Sequence, residues 1–151
     1  MAAVVIFQFA VPHHLQFRVL PQPLAICRLA PNADIPSRLL DAASSALVCA
    51  VVRTPDELSL VVSEEACSEG RLPPGALAEL GWIALQLRGP FPFSLTGVLA
   101  SFLQPLAEAK IPIFAISTFD TDYVLIKREQ LPQAISALSA AGHENISEET
   151  A

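Results

Sequence analysis

The chain has 151 residues, of which 52% are hydrophobic and only 16% charged, enough apolar material for one ordinary domain or two small ones. Its formal net charge of −6 argues against a nucleic-acid surface, which needs clustered lysine and arginine to neutralise phosphates. It contains no run of about twenty apolar residues, so no bilayer-spanning helix is expected.

In chain order, the opening MAAVVIFQFAVP is apolar but lacks a basic leader, and Pro12 interrupts it. It reads as an extra strand or a loosely docked tail rather than a signal peptide. Leu15 to Leu20 alternates Leu, Phe and Val with Gln and Arg, which predicts a half-buried strand. Pro21-Gln22-Pro23 predicts a turn, with Leu24 to Leu29 returning as a second strand. Pro31 to Pro36 reads as a loop in which Asp34 caps a brief helix through Leu39, Leu40 and Ala43. Leu47 to Arg53 and Leu58 to Val62 are predicted strands. Thr54-Pro55-Asp56-Glu57 joins them, a turn in which proline sets φ and aspartate bonds locally. Gly70 to Gly75, with Pro73-Pro74, reads as a linker.

Beyond the linker the pattern is more regular. Ile83, Leu85 and Leu87 point one way along a strand, and Trp82, Ala84, Gln86 and Arg88 the other. The loop Gly-Pro-Phe-Pro-Phe-Ser-Leu-Thr-Gly follows, with Thr96 placed to cap a helix. On that helix Val98, Leu99, Phe102, Leu103 and Leu106 share a face opposite Ser101, Gln104 and Glu108, and Pro105 should kink it. Strands are predicted at Ile113 to Thr118 and Asp122 to Lys127. A helix carrying Leu131, Ile135 and Leu138 comes next, then Gly142 as its C-cap and a last short strand within His143 to Ile146. Strand-helix-strand-strand-helix-strand is the ferredoxin-like plan, an α+β class.

The two halves look related. Arg53-Thr54-Pro55-Asp56-Glu57-Leu58 parallels Ser117-Thr118-Phe119-Asp120-Thr121-Asp122, each reading strand, acidic turn, strand. Two related α+β units are inferred: residues 1–75, with the apolar N-terminal extension, and 76–151, with a short acidic tail.

Chemistry-bearing patterns are sparse. Cys27, Cys49 and Cys67 are odd in number and lack CxxC spacing, which fits a reduced, cytoplasmic setting. No HExxH, GxSxG, phosphate loop or paired-cysteine zinc spacing is present, so no catalytic residue, metal or cofactor is expected.

At ISTFDTDYVLIKREQLP the sequence resembles the ACT family of regulatory amino-acid-binding domains. More narrowly it is similar to the branch of cytosolic arginine sensors and short microbial tandem-ACT proteins. The likeness runs from about His14 to His143 and includes TPDELSLVVSEEA, GWIALQL and FSLTGVLASFLQPLAEAKIPIFAIS. It implies two ferredoxin-like ACT units, assembly into homodimers, and a small ligand, often an amino acid, held between units. Carried onto this chain, the ligand-binding positions are Ser94, Leu95, Thr96 and Gly97 in the loop, Pro112 and Ile113 at a strand start, and Thr118, Phe119 and Asp122 at the turn. Leu95 stands where the arginine sensors carry an acidic residue, so arginine is not the expected ligand.

The expected function is therefore a non-catalytic amino-acid sensor with an as yet unidentified protein partner. Two alternatives stay open: an ACT-type oligomerisation module that binds nothing, and a small ferredoxin-like enzyme. The residues also permit bland readings: Thr96 as a plain helix cap, Phe119 as a dimer contact, Asp122 as an ordinary strand-entry residue.

Overall fold

A computed structural model describes residues 14–35, 37, 39, 46–67 and 72–147. Its elements are β1 (Gln16–Leu29), β2 (Ala50–Arg53), β3 (Leu58–Ser63), β4 (Leu77–Leu87), α1 (Val98–Glu108), β5 (Phe114–Ser117), β6 (Asp122–Lys127), α2 (Leu131–Ala140) and β7 (Glu144–Asn145). The strands form one sheet in the order β2-β3-β1-β4-β6-β5, antiparallel throughout, with β7 added parallel to the start of β1. This is the expected α+β, ferredoxin-like arrangement. The apolar N-terminal stretch, Leu40, Ala43 and the acidic tail lie outside the described residues.

The two long central strands each serve both halves of the molecule. Leu24–Leu29 of β1 pairs with β3 and with the start of β4, which gives the order second-third-first-fourth. The later half repeats that order, β5-β6-β4, but its fourth place is taken by Phe17–Leu20 of β1. β7 lies outside that strand, pairing with Gln16 and Phe17.

Pro21-Gln22-Pro23 therefore does not turn the chain back. β1 runs straight through it, and its register on β4 shifts between Leu20 and Leu24. A proline lacks the N–H a ladder needs, and here the two prolines fall where β1 has no paired partner residue. A second register shift follows between Leu24 and Ile26, and Gly81 of β4 lies opposite it. Gly81 has φ of +78°, and its N–H donates to Glu64 Oε2 at 3.1 Å. A left-handed residue at an irregularity in the ladder is a position suited to glycine.

Alternation along β4 sorts the core as expected. Ile83, Leu85 and Leu87 face α1 and α2 in a cluster with Phe17, Phe102, Leu106, Val124, Ile126 and Leu138. Phe17 and Phe102 meet edge to face, centroids 5.4 Å apart. Trp82 and Ala84 face the other way, with Leu20, Leu24, Val61 and Leu125. A third cluster, Ala25, Cys27, Leu29, Leu39, Leu58, Leu60, Val62 and Ala66, fills the earlier half. The sheet bends so far that β2 and β5, its opposite ends, both line one apolar groove of about 200 Å³.

Three local expectations are corrected. Gly97, at φ +80°, and not Thr96, occupies the capping position of α1, whose first backbone bond is Ser101 N–H to Gly97 O at 2.9 Å. The first of the later strands starts at Leu77 rather than Gly81, and β2 begins at Ala50 rather than Leu47.

Pro105 in α1 has a structural partner. Having no N–H, it leaves the Ser101 carbonyl without its helical donor. His143 Nε2 supplies one at 3.1 Å, while its Nδ1 accepts from the Leu15 N–H at 3.2 Å. His143 is 3% exposed and packs on Phe102. Those two bonds require the neutral imidazole with its proton on Nε2. Burial holds His143 below its ordinary value, and the nearby His14 works in the same direction.

Candidate functional site

The turn before β6 builds itself from threonine chemistry. Thr118 N–H donates to Thr121 O at 2.8 Å, the Thr118 hydroxyl donates to the same oxygen at 2.8 Å, and Thr121 N–H donates back to that hydroxyl at 3.2 Å. The loop after β4 is stitched to this turn. Phe91 N–H donates to Asp120 O at 2.8 Å, and the buried Thr121 hydroxyl donates to Leu87 O at 2.8 Å. Gly89 permits the approach, since a Cβ there would lie 2.6 Å from the Asp120 carbonyl oxygen.

Between the loop, the turn and the start of α1 lies an open crevice of about 310 Å³. That is near the lower end of ligand-pocket volumes, roughly 300–1,000 Å³, and suits one small molecule. Of the positions expected to bind ligand, Leu95, Gly97, Thr118, Phe119 and Asp122 line it; Ser94, Thr96, Pro112 and Ile113 do not. Pro112 and Ile113 immediately precede β5 at the sheet edge, and Ile113 packs against the main core. Sequence reasoning missed Phe91, Phe93, Ser117, Asp120 and Thr121, and the first residues of α1, all of which line the crevice.

Its walls differ in character. The turn side carries the carboxylates of Asp120 and Asp122, and Asp122 Oδ1 accepts from the Ser117 hydroxyl at 2.5 Å. The opposite side is the start of α1, Val98 to Ala100. The first amides of a helix have no intrahelical acceptor and sit at the positive end of its dipole, so they favour an anion. The rest is apolar: Phe91, Phe93, Leu95, Leu99 and Phe119, with no lysine or arginine in the lining. Phe93 and Phe119 are 78% and 79% exposed and meet edge to face at 5.1 Å, forming a bare aromatic rim. An acidic wall, a helix start and aromatic surfaces can hold a zwitterion.

Comparison with known proteins identifies the family of this fold. The ACT domain profile matches residues 77–140, which span β4 to α2. The human protein CASTOR3P is 28% identical over 128 residues, 78% of this chain and 77% of its own length. Subunit 1 of the cytosolic arginine sensor for mTORC1 from Bos taurus is 30% identical over 97 residues, 59% of this chain; the match spans only 29% of that sensor's length. Among solved structures, Atu0741 from Agobacterium tumefaciens superposes with a TM-score of 0.77 at 31% identity, covering 91% of this chain and 96% of that one. The regulatory subunit of aspartate kinase from Thermus thermophilus shares the fold, with a TM-score of 0.57 at 18% identity over 80% of this chain and 93% of its own. Such domains are regulatory rather than catalytic. No helix among the described residues is long and apolar enough to cross a membrane. The chain belongs to the ACT-domain family, on the branch related to the cytosolic arginine sensors.

Proposed function

We propose that the protein is a cytoplasmic amino-acid sensor whose ligand, a neutral and preferably apolar amino acid, sits in the crevice between the loop after β4 and the turn before β6. The ammonium group meets Asp122, the carboxylate meets the first amides of α1, and the side chain lies against Phe91, Leu95 and Phe119. The observation that carries this reading is the polarity of the crevice, with carboxylates on one wall and a helix start on the other. Leu95 supplies apolar surface at the loop, which supports a neutral rather than a guanidinium side chain. We read the chain as two ACT units, residues 1–75 and 76–151, each with the strand order second-third-first and each taking its fourth strand from the other unit.

The bare Phe93–Phe119 pair at the rim supports a homodimer in which a second copy covers the crevice, so that ligand and assembly are linked. A ligand can shift that equilibrium only by binding one state better than the other, and closure over the crevice supplies the difference. The same aromatic pair favours a second reading, an assembly module that holds no ligand. Calorimetry against the twenty amino acids, with sedimentation velocity on the same samples, separates the two. A sensor gives saturable heat with one or a few neutral amino acids and a shift in sedimentation. An assembly module sediments as a dimer and gives no heat with any of them.

A further inference from the structure

Two of the three cysteines, 40 residues apart in sequence, lie together in the earlier half of the fold. Cys27 on β1 is 1% exposed, and Cys67 closes the short 3₁₀ turn Glu64–Cys67 that follows β3. Their sulfurs are 3.3 Å apart, hydrogen-bond distance for two thiols. Cys67 is half-buried, so it is the more exposed member of the pair. Cys49, the third, is exposed and is not part of this contact.

We propose that Cys27 and Cys67 form a reversible dithiol–disulfide site, with Cys67 as the attacking sulfur and Cys27 as the resolving one. The distance between the sulfurs must shrink from 3.3 Å to about 2.05 Å. Cys67 stands at the end of a single turn of helix rather than within the sheet, which makes it the partner that moves. The shared hydrogen bond also differentiates the two sulfurs: it lowers Cys67 from its ordinary value and raises Cys27, which burial raises further. Burial and the Glu64 carboxylate oppose the lowering at Cys67. A thiolate, not a thiol, is the nucleophile, and the less buried Cys67 is the one an oxidant meets first.

With a low-molecular-weight disulfide such as oxidised glutathione as oxidant, the steps balance. The Cys67 thiolate attacks one sulfur of the oxidant, breaks its S–S bond and releases one glutathione thiolate, leaving a mixed disulfide on Cys67. Cys27 gives up its proton, and its sulfur attacks that of Cys67, expelling the second glutathione thiolate. The protein loses two thiol hydrogens and two electrons, and the oxidant leaves as two thiols. The new bond ties β1 to the turn after β3.

The test is oxidation of the full chain, and of the Cys49→Ser variant, in glutathione redox buffers, followed by alkylation in denaturant and intact mass. The expected product in both has lost the thiol hydrogens of Cys27 and Cys67, retains no glutathione on either sulfur, and yields a Cys27–Cys67 cross-linked peptide that dithiothreitol abolishes. Its thermal midpoint should rise by several degrees, because the link removes freedom from the unfolded chain. A persistent glutathione adduct on Cys67, a link through Cys49, an unshifted or lowered midpoint, or three alkylatable thiols after oxidation would each overturn the proposal.

Discussion

The turns Thr54–Glu57 and Thr118–Thr121 are the same small device used twice, with different outcomes beside them. In each, a threonine N–H donates to the carbonyl oxygen three residues on, at 2.9 Å in the first and 2.8 Å in the second. In each, the residue at that carbonyl donates its own N–H to the threonine hydroxyl at 3.2 Å. The strand pairs they join have matching registers, Arg53 opposite Leu58 and Ser117 opposite Asp122. The difference lies in the residue that enters the turn. Arg53 sends its guanidinium to the loop after β1, donating to the carbonyls of Pro31 and Ala33. Ser117, at the corresponding place, is too short to cross and bonds Asp122 instead, leaving an open crevice. One half carries a built-in cation where the other has room for one. The proposed ligand ammonium would fill the space that the Arg53 side chain fills in the first half, with Asp122 as its partner in place of the loop carbonyls.

This comparison can be broken by exchanging its parts. The largest effect is expected from Ser117→Arg. A guanidinium placed beside Asp122 would occupy the ammonium position, and juxtaposing like charges costs several kcal/mol, so amino-acid affinity should fall on the order of a hundredfold or more. Circular dichroism should show the fold unchanged; retained affinity in calorimetry would contradict the assignment.

The next effect belongs to the joint that holds the later half together. His143→Leu leaves the Ser101 carbonyl and the Leu15 N–H buried and unpaired, at about 1–3 kcal/mol each, and the denaturation midpoint should drop accordingly. The parent protein should show a matching pH dependence. His143 is held neutral in the fold, so below about pH 6.5 the unfolded chain binds a proton that the native state resists. The contribution of His143 is fully present above that pH and is lost as pH falls toward the depressed native value. A midpoint that rose on acidification from pH 7 to 6 would contradict the bonding scheme.

Asp122→Ala should weaken binding about tenfold to a hundredfold, the worth of a hydrogen bond to a charged group, roughly 1.5–3 kcal/mol. Asp56→Ala, at the equivalent of Asp120 in the other turn, should leave affinity unchanged. The smallest effect is expected from Arg53→Ala. The guanidinium is exposed, so its loss should cost about 1 kcal/mol, a few degrees in midpoint, with no change in amino-acid affinity.

Much of the architecture was legible because it rests on period and local chemistry. The alternation Ile83-Leu85-Leu87 separated the two faces of β4, and short acidic stretches between apolar runs marked both turns, although the local bonds expected of Asp56 are made by the Thr54 hydroxyl. What escaped depended on contacts distant in sequence. Pro21-Gln22-Pro23 signals either a turn or a gap in strand pairing, and only the length of β4, which spans both halves of β1, decides for the gap. Pro105 announces that the Ser101 carbonyl needs a donor, but nothing local points to His143, 42 residues on. At the candidate site Thr118, Phe119 and Asp122 came from the family resemblance rather than from a local pattern, and their neighbours Ser117, Asp120 and Thr121 were missed. Phe91 and Phe93 were missed too, because the loop Gly89 to Ser94 has no period and its course is fixed by the close approach of Gly89 to Asp120. Thr96 was misplaced by one residue, since glycine at positive φ displaced the usual hydroxyl cap.

The most direct test is a titration of isotope-labelled protein with the neutral amino acids, followed by amide chemical shifts. An amino-acid site at the crevice predicts concentration-dependent shifts at Phe91, Val98 to Ala100 and Asp120 to Asp122, with the amides of Ala30, Asn32, Ala33, Thr54, Asp56 and Glu57 silent. Shifts concentrated on the Arg53 side, or none with any amino acid, would contradict it.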